Sequence, residues 1–168
     1  EAAFFSTPMW GLVAATPVNR FASRFMRFIG LGRLPVSIVR KDPREEKFAQ
    51  NNVTSDETRF NRNWDVWRAC PGIRIAGPTF AWFAAACDIT DWFRSTKRTK
   101  RLRFPITVLS ATEDTFVRNA SHEAIVKRLP DAVHKTIEGA KHELLQERDL
   151  YRDQAFAAFD ALLKRAGI

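Results

Sequence analysis

Two short stretches hold the residue types that proton transfer needs. Thr112-Glu113-Asp114 follows an apolar run ending at Leu109-Ser110, and Gly139-Ala140-Lys141-His142 follows a second run ending near Ile137. In open parallel sheets, ligand groups gather just beyond the carboxyl ends of the strands. One helix and one strand separate Asp114 from His142, which puts both at the same edge of such a sheet. An acid and a histidine on adjacent strand ends suit a charge-stabilised general base: the carboxylate holds one imidazole tautomer and favours the imidazolium. Each residue also has an ordinary reading, Asp114 as a turn or capping acid and His142 as a turn residue, and the pattern alone leaves both open. His122, beside Glu123 in the first turn of a helix, reads as a surface residue. His134 lies inside a strand and reads as structural. There is no His-x-x-x-His pair, no Cys/His cluster and no glycine-rich phosphate loop, so neither metal nor cofactor is expected.

The elements that would carry these residues follow from periodicity. Residues 2–6 read as a short strand stopping before Thr7-Pro8. Thr16-Pro17 opens a helix, with Thr16 as N-cap and Pro17 in the first turn. Its apolar positions Val18, Phe21, Ala22, Phe25, Met26 and Ile29 repeat at helical spacing, and Arg20, Ser23, Arg24 and Arg27 take the other face. The expectation is that the phenylalanines pack inward and the arginines are solvated. Residues 33–76 are polar and read as short helices and loops. A helix follows Pro78, apolar on nearly every side from Phe80 to Cys87. Residues 97–103 form a solvated basic linker. Residues 104–111 read as a strand covered on both faces, 119–129 as a helix stopped by Pro130, 132–137 as a strand and 148–166 as a last helix. Strands alternating with helices predict an α/β fold with a parallel sheet.

Composition narrows the class. The chain has 168 residues, 45% of them apolar, which fits one globular domain or part of a larger one. No stretch approaches the length of a transmembrane helix. The two cysteines, Cys70 and Cys87, do not form a disulfide framework, so a reducing, cytoplasmic setting is expected. The chain starts at Glu1 without a Met or a visible leader, which reads as a processed or cut end. Net charge is +8, and the excess is concentrated: residues 11–76 hold twelve basic and six acidic residues, and 77–103 hold six and two. Such a basic middle attracts anionic partners, whether a phosphate-bearing substrate, an anionic lipid surface contacted peripherally, or nucleic acid.

The stretch Pro105-Ile106-Thr107-Val108-Leu109-Ser110-Ala111-Thr112-Glu113-Asp114-Thr115-Phe116-Val117 resembles the acid-bearing strand and loop of α/β-hydrolases. Ile137 to Glu147, read Ile-Glu-Gly-Ala-Lys-His-Glu-Leu-Leu-Gln-Glu, resembles their histidine loop. The likeness is nearest to the lysophospholipase and monoacylglycerol lipase branch, the serine-aminopeptidase-like hydrolases. Residues 52–60, 77–82 and the opening Phe4-Phe5-Ser6-Thr7-Pro8-Met9 support that branch in the right order.

The resemblance implies a Ser-Asp-His triad with Asp114 as acid and His142 as base. It also implies a nucleophile in a Gly-x-Ser-x-Gly elbow, and no such pentapeptide occurs here. The match is therefore to the carboxyl-terminal half of the enzyme. A missing amino-terminal half, carrying the serine and the oxyanion donors, is the expected partner. The implied division is residues 1–10 as a core strand, 11–76 as a helical cap and 77–168 as the carboxyl-terminal core. Trp10, Phe21, Phe25, Phe28 and Trp82 are the expected lining of an acyl slot for a lipid ester. Two other functions stay open: an aminopeptidase or amidase of the same fold, and a non-catalytic binder of anionic lipid or nucleic acid. No nucleic-acid motif favours the last partner.

Overall fold

A computed structural model describes residues 1–36, 47–73 and 77–168. Three parallel strands, β1 (Ala3–Ser6), β2 (Ile106–Ala111) and β3 (Ala132–Ile137), form a sheet in the order β1-β2-β3. Ala3 pairs with Ile106, and Ile106 with Ala132, so the strands run in register from a common start. The central strand is buried at every position, as a parallel strand covered on both faces requires. Five α-helices accompany it among the described residues: α1 (Pro17–Phe28), α2 (Glu57–Ala69), α3 (Phe80–Ser95), α4 (Asn119–Val126) and α5 (Asp149–Ala166).

Strand alternation divides the core into two layers. On one side Leu109, Ala111 and Ile137 pack with Ala155 of α5, Leu144 and Phe4. On the other, Ile106 and Val108 pack with Ile125 of α4, Leu129, Phe5 and Trp10. The chain is thus an α/β-type sheet with flanking helices, and both strand ends of interest point to one edge.

Two expectations about elements change. Residues 57–69 form one helix of 13 residues, where only short pieces were expected. Asp56 caps it by accepting from the Arg59 amide, and Phe60 and Trp64 bury its single apolar stripe. The second change is larger. Helix α1 begins as expected at Pro17, with Thr16 accepting from the Asn19 amide, but it faces the other way. Its arginines reach across to α3 and its phenylalanines point out. Arg20 pairs with Asp91 at 2.5 Å, Arg24 with Asp88 at 2.7 Å and Arg27 with Asp88 at 3.3 Å, all on α3. Asp88 and Asp91 lie three residues apart, on one face of α3. Ser23, a small residue flanking the arginines, is 1% exposed.

Candidate active site

Asp114 and His142 are carried by the loops that leave β2 and β3. The two loops are tied together by backbone: the Thr112 amide donates to Ile137 O at 3.2 Å and the Glu113 amide to Ala140 O at 2.9 Å. Gly139 turns the second loop at φ 76°, where any other residue would be strained, and a Cβ there would lie 2.8 Å from the Tyr151 hydroxyl and displace it. The result is a direct contact: His142 Nδ1 lies 2.7 Å from Asp114 Oδ2. The Asp114 side chain is fully buried. Its other oxygen, Oδ1, accepts from the amides of Phe116 at 2.8 Å and Val117 at 3.0 Å. The turn-acid reading and the histidine-partner reading of Asp114 therefore both hold, one for each oxygen.

With Asp114 ionised, Nδ1 carries the hydrogen and Nε2 is left as the basic nitrogen. Among the described residues Nε2 has no protein partner, and the ring borders a cavity. That cavity measures about 260 Å³ and is lined by Thr7, Met9, Leu12, Val53, Trp82, Phe116, Val117 and His142. Among the described residues its lining is otherwise apolar but for the Trp82 indole N–H and Thr7, whose hydroxyl donates to His142 O at 2.8 Å. Burial is the largest influence on His142 and pulls its pKa down. The Asp114 hydrogen bond and charge together outweigh it, and the imidazole ends above its ordinary value. For Asp114, burial is again the largest influence and raises the carboxyl. The bonds from His142, Val117 and Phe116 outweigh it, leaving the carboxyl below the ordinary range. The sign of the linkage follows: the His142 contribution to stability is complete below about pH 6.5 and fades as pH rises through the raised pKa. The Asp114 contribution is complete above about pH 4 and fades as pH falls through the lowered one.

Of the five expected lining residues, the structure brings one, Trp82, to the cavity. Trp10 instead fills the core beneath it, 5.2 Å from Phe5 and 5.2 Å from Phe93 between ring centroids. Phe21, Phe25 and Phe28 lie on the outward face of α1. The lining comes from loops, at Met9, Leu12, Val53 and Phe116, and no periodic pattern marks such positions.

Two residues around the site were misjudged or passed over. His122 is not a surface residue: it is fully buried. Its Nε2 donates to Pro8 O at 2.7 Å, which leaves Nδ1 to accept from the Ser110 hydroxyl, also at 2.7 Å. Ser110 Oγ in turn accepts from His134 Nε2 at 2.7 Å. Burial is the largest cause of the lowered pKa of both imidazoles. This chain of three side chains grips the turn after β1, where Thr7 sits at φ 42°, a conformation that needs support in a β-branched residue. Glu147 is the other. Fully buried, its carboxylate accepts from the amides of Lys141 at 2.9 Å, Ser55 at 3.0 Å and Arg148 at 3.1 Å, and from the Ser55 hydroxyl. It joins residues 51–55 to the histidine loop. The Glu143 amide adds a bond to Val53 O at 2.8 Å, and Thr54 donates to Gln146 O at 2.7 Å.

Comparison with known proteins gives this geometry a family. The chain is 27% identical over 151 residues to a probable lysophospholipase L2 of Haemophilus influenzae, covering 89% of this chain and 47% of that protein. It is 27% identical over 176 residues to lysophospholipase L2 of Escherichia coli, covering 94% and 48%. The chain thus spans about half the length of these curated relatives. Its fold matches a soluble variant of monoglyceride lipase from Saccharomyces cerevisiae, crystallised with a substrate analog, at a TM-score of 0.69 and 15% identity, covering 97% of this chain and 55% of that one. The monoacylglycerol lipase of Paleococcus ferrophilus matches at 0.67 and 15%, covering 98% and 59%. Residues 2–149 fit the family described as serine aminopeptidase, S33. With most of its length matched to that family and its sheet to the α/β-hydrolase fold, the chain belongs to the serine aminopeptidase (S33) family of α/β-hydrolases.

Proposed function

We propose that this chain is the acid- and histidine-bearing part of a serine hydrolase of carboxylic esters, with a lysophospholipid or monoacylglycerol as substrate. The observation that carries the reading is the 2.7 Å contact between His142 Nδ1 and Asp114 Oδ2 beside an apolar cavity. The nucleophile comes from a segment outside these 168 residues. Thr7, the one hydroxyl in the cavity wall, has its hydrogen committed to the His142 carbonyl and does not attack. Residues 1–10 and 77–168 belong to the catalytic core and 11–76 to a cap, of which α1 packs on α3. The relatives' names, lysophospholipase L2 and monoglyceride lipase, support a lipid ester over an amide.

In the proposed reaction, His142 Nε2 takes the serine proton as the serine oxygen bonds to the acyl carbon, and Asp114 stabilises the imidazolium. The tetrahedral adduct collapses when His142 returns that proton to the leaving alcohol. Water then attacks the acyl-serine with His142 again as base, which releases the fatty acid and restores the serine.

The test is hydrolysis by the full-length gene product. It is expected to release fatty acid from lysophosphatidylcholine or monoolein faster than an aminoacyl anilide is cleaved. Because His142 must be neutral, and its pKa is raised, kcat/KM is expected to rise with pH through a midpoint above about 6.5. Residual activity in Asp114→Asn should show that midpoint moved down. Cleavage of the anilide alone, or a midpoint unmoved in the variant, contradicts the proposal.

A further inference from the structure

Thr7 is the one non-glycine residue among the described residues with a positive φ, at 42°, a region that β-branched side chains avoid. It follows Ser6, the last residue of β1, and is buried. Strain of this kind persists only where the surroundings over-determine it, and it gathers at functional sites. Here the surroundings act on both sides of the residue. The Thr7 amide extends the β1–β2 ladder by donating to Leu109 O at 2.9 Å. The next carbonyl, Pro8 O, accepts from the Trp10 amide and from His122 Nε2, each at 2.7 Å. Ser110 and His134 brace that imidazole in turn, and the Trp10 ring meets it edge-on at 5.9 Å between centroids. Glycine would adopt this backbone with no strain, but it carries no hydroxyl. The threonine hydroxyl donates to His142 O at 2.8 Å.

We propose, resting on the hydrolase reading, that Thr7 is a positioning residue for the base: its hydroxyl holds the His142 backbone so that the imidazole meets Asp114 and presents Nε2 to the cavity. The sheet order β1-β2-β3 shows why a third strand is needed. β1 and β3 are not neighbours, so no ladder bond fixes the end of one against the end of the other. The Thr7 hydroxyl reaches past the end of β2 and makes that connection. Asp114 then holds a ring nitrogen of His142 from the end of β2, and Thr7 holds the main chain of the same residue from the end of β1. A histidine side chain has only two torsions, so a shift of its main chain carries Nε2 with it. The other bond to His142 O, from the Leu144 amide at 3.1 Å, is local and moves with the loop. Thr7 itself makes and breaks no bond with substrate: its hydrogen stays on the His142 carbonyl, and the proton path runs through Nε2.

The experiment compares the full-length protein with Thr7→Val, which keeps the branching and removes the hydroxyl, and Thr7→Ser, which keeps the hydroxyl. Monoolein hydrolysis gives kcat and KM, and NMR gives the exchange rate of the His142 Nδ1 proton with water. Thr7→Val is expected to lose about tenfold in kcat with KM within about twofold of the parent, because misalignment of the base costs turnover and not binding. The Nδ1 proton is expected to exchange about tenfold faster as its bond to Asp114 loosens. Thr7→Ser should bring both quantities back to within about threefold of the parent. Parental kcat and exchange in Thr7→Val, a change confined to KM, or no rescue by Thr7→Ser overturns the proposal. So does a loss that follows a lowered thermal unfolding midpoint in both variants, since Thr7 would then be supporting the fold alone. The two readings fail separately. A parent that hydrolyses no ester removes the hydrolase reading, and the exchange rates still decide whether Thr7 holds His142. An active parent that depends on His142, with Thr7→Val unimpaired, removes only the positioning role.

Discussion

Replacing His142 by alanine in the full-length protein is expected to lower kcat by about four orders of magnitude with little change in KM. The reasoning is geometric. His142 Nδ1 is committed to Asp114 at 2.7 Å and its ring borders the cavity. The other two histidines of these 168 residues, His122 and His134, are both hydrogen-bonded to Ser110. Asp114→Asn is expected to cost about as much by a different route. An asparagine amide at that position donates where a carboxylate accepts, so the imidazole adopts the tautomer that puts its hydrogen on Nε2 and removes the base. The Asn side-chain carbonyl can still accept from the Phe116 and Val117 amides, so the loop keeps its shape. Steady-state kinetics with circular dichroism separates loss of chemistry from loss of fold. Turnover within tenfold of the parent in a folded His142→Ala protein removes this residue from the mechanism.

Glu147→Ala is expected to have the largest effect on stability, about 3–5 kcal/mol. The carboxylate accepts from four donors and is fully buried. Deleting it leaves the Lys141, Ser55 and Arg148 amides without their acceptor. Glu147→Gln keeps the shape and one acceptor oxygen, and is expected to cost about 1–3 kcal/mol. The damage should also spread to the site. This carboxylate, through Ser55, is one of the bonds that hold residues 51–55 to the histidine loop, and Val53 among them lines the cavity. Urea unfolding measures the first effect, and amide exchange at Glu143, whose hydrogen bond goes to Val53, measures the second. A loss below about 1 kcal/mol for the alanine variant would mean that water or a neighbouring acceptor replaces the carboxylate.

Local signals carried most of the secondary structure into view. Thr16-Pro17 marks the start of α1, the apolar run marks β2, and the spacing of Asp114 and His142 places them at one sheet edge. What stayed hidden was set by partners distant in sequence. The direction in which α1 faces depends on Asp88 and Asp91, some 60 to 70 residues away, and helical periodicity locates a face without saying what meets it. His122 looked superficial because Glu123 stands beside it in a first turn. Its burial comes from Ser110 and from the Pro8 carbonyl 114 residues away. Helix α2 was obscured by its arginines and asparagines, which lower the apparent amphipathicity, although Asp56 stood at its start as a capping signal. The cavity lining was illegible for a simpler reason: it is assembled from loops, whose positions follow from the sheet and not from periodicity.

The central claim is that Asp114 and His142 serve an alcohol nucleophile contributed by sequence outside this chain. A fluorophosphonate probe reports on it directly, because it forms a covalent adduct with a serine only when a base activates that serine. Labelling of the full-length protein followed by peptide mapping is expected to find the adduct on a serine within a Gly-x-Ser-x-Gly pentapeptide beyond these 168 residues, and to lose it in His142→Ala. No labelling, labelling of a serine within this chain, or labelling that survives the loss of His142 would contradict the account.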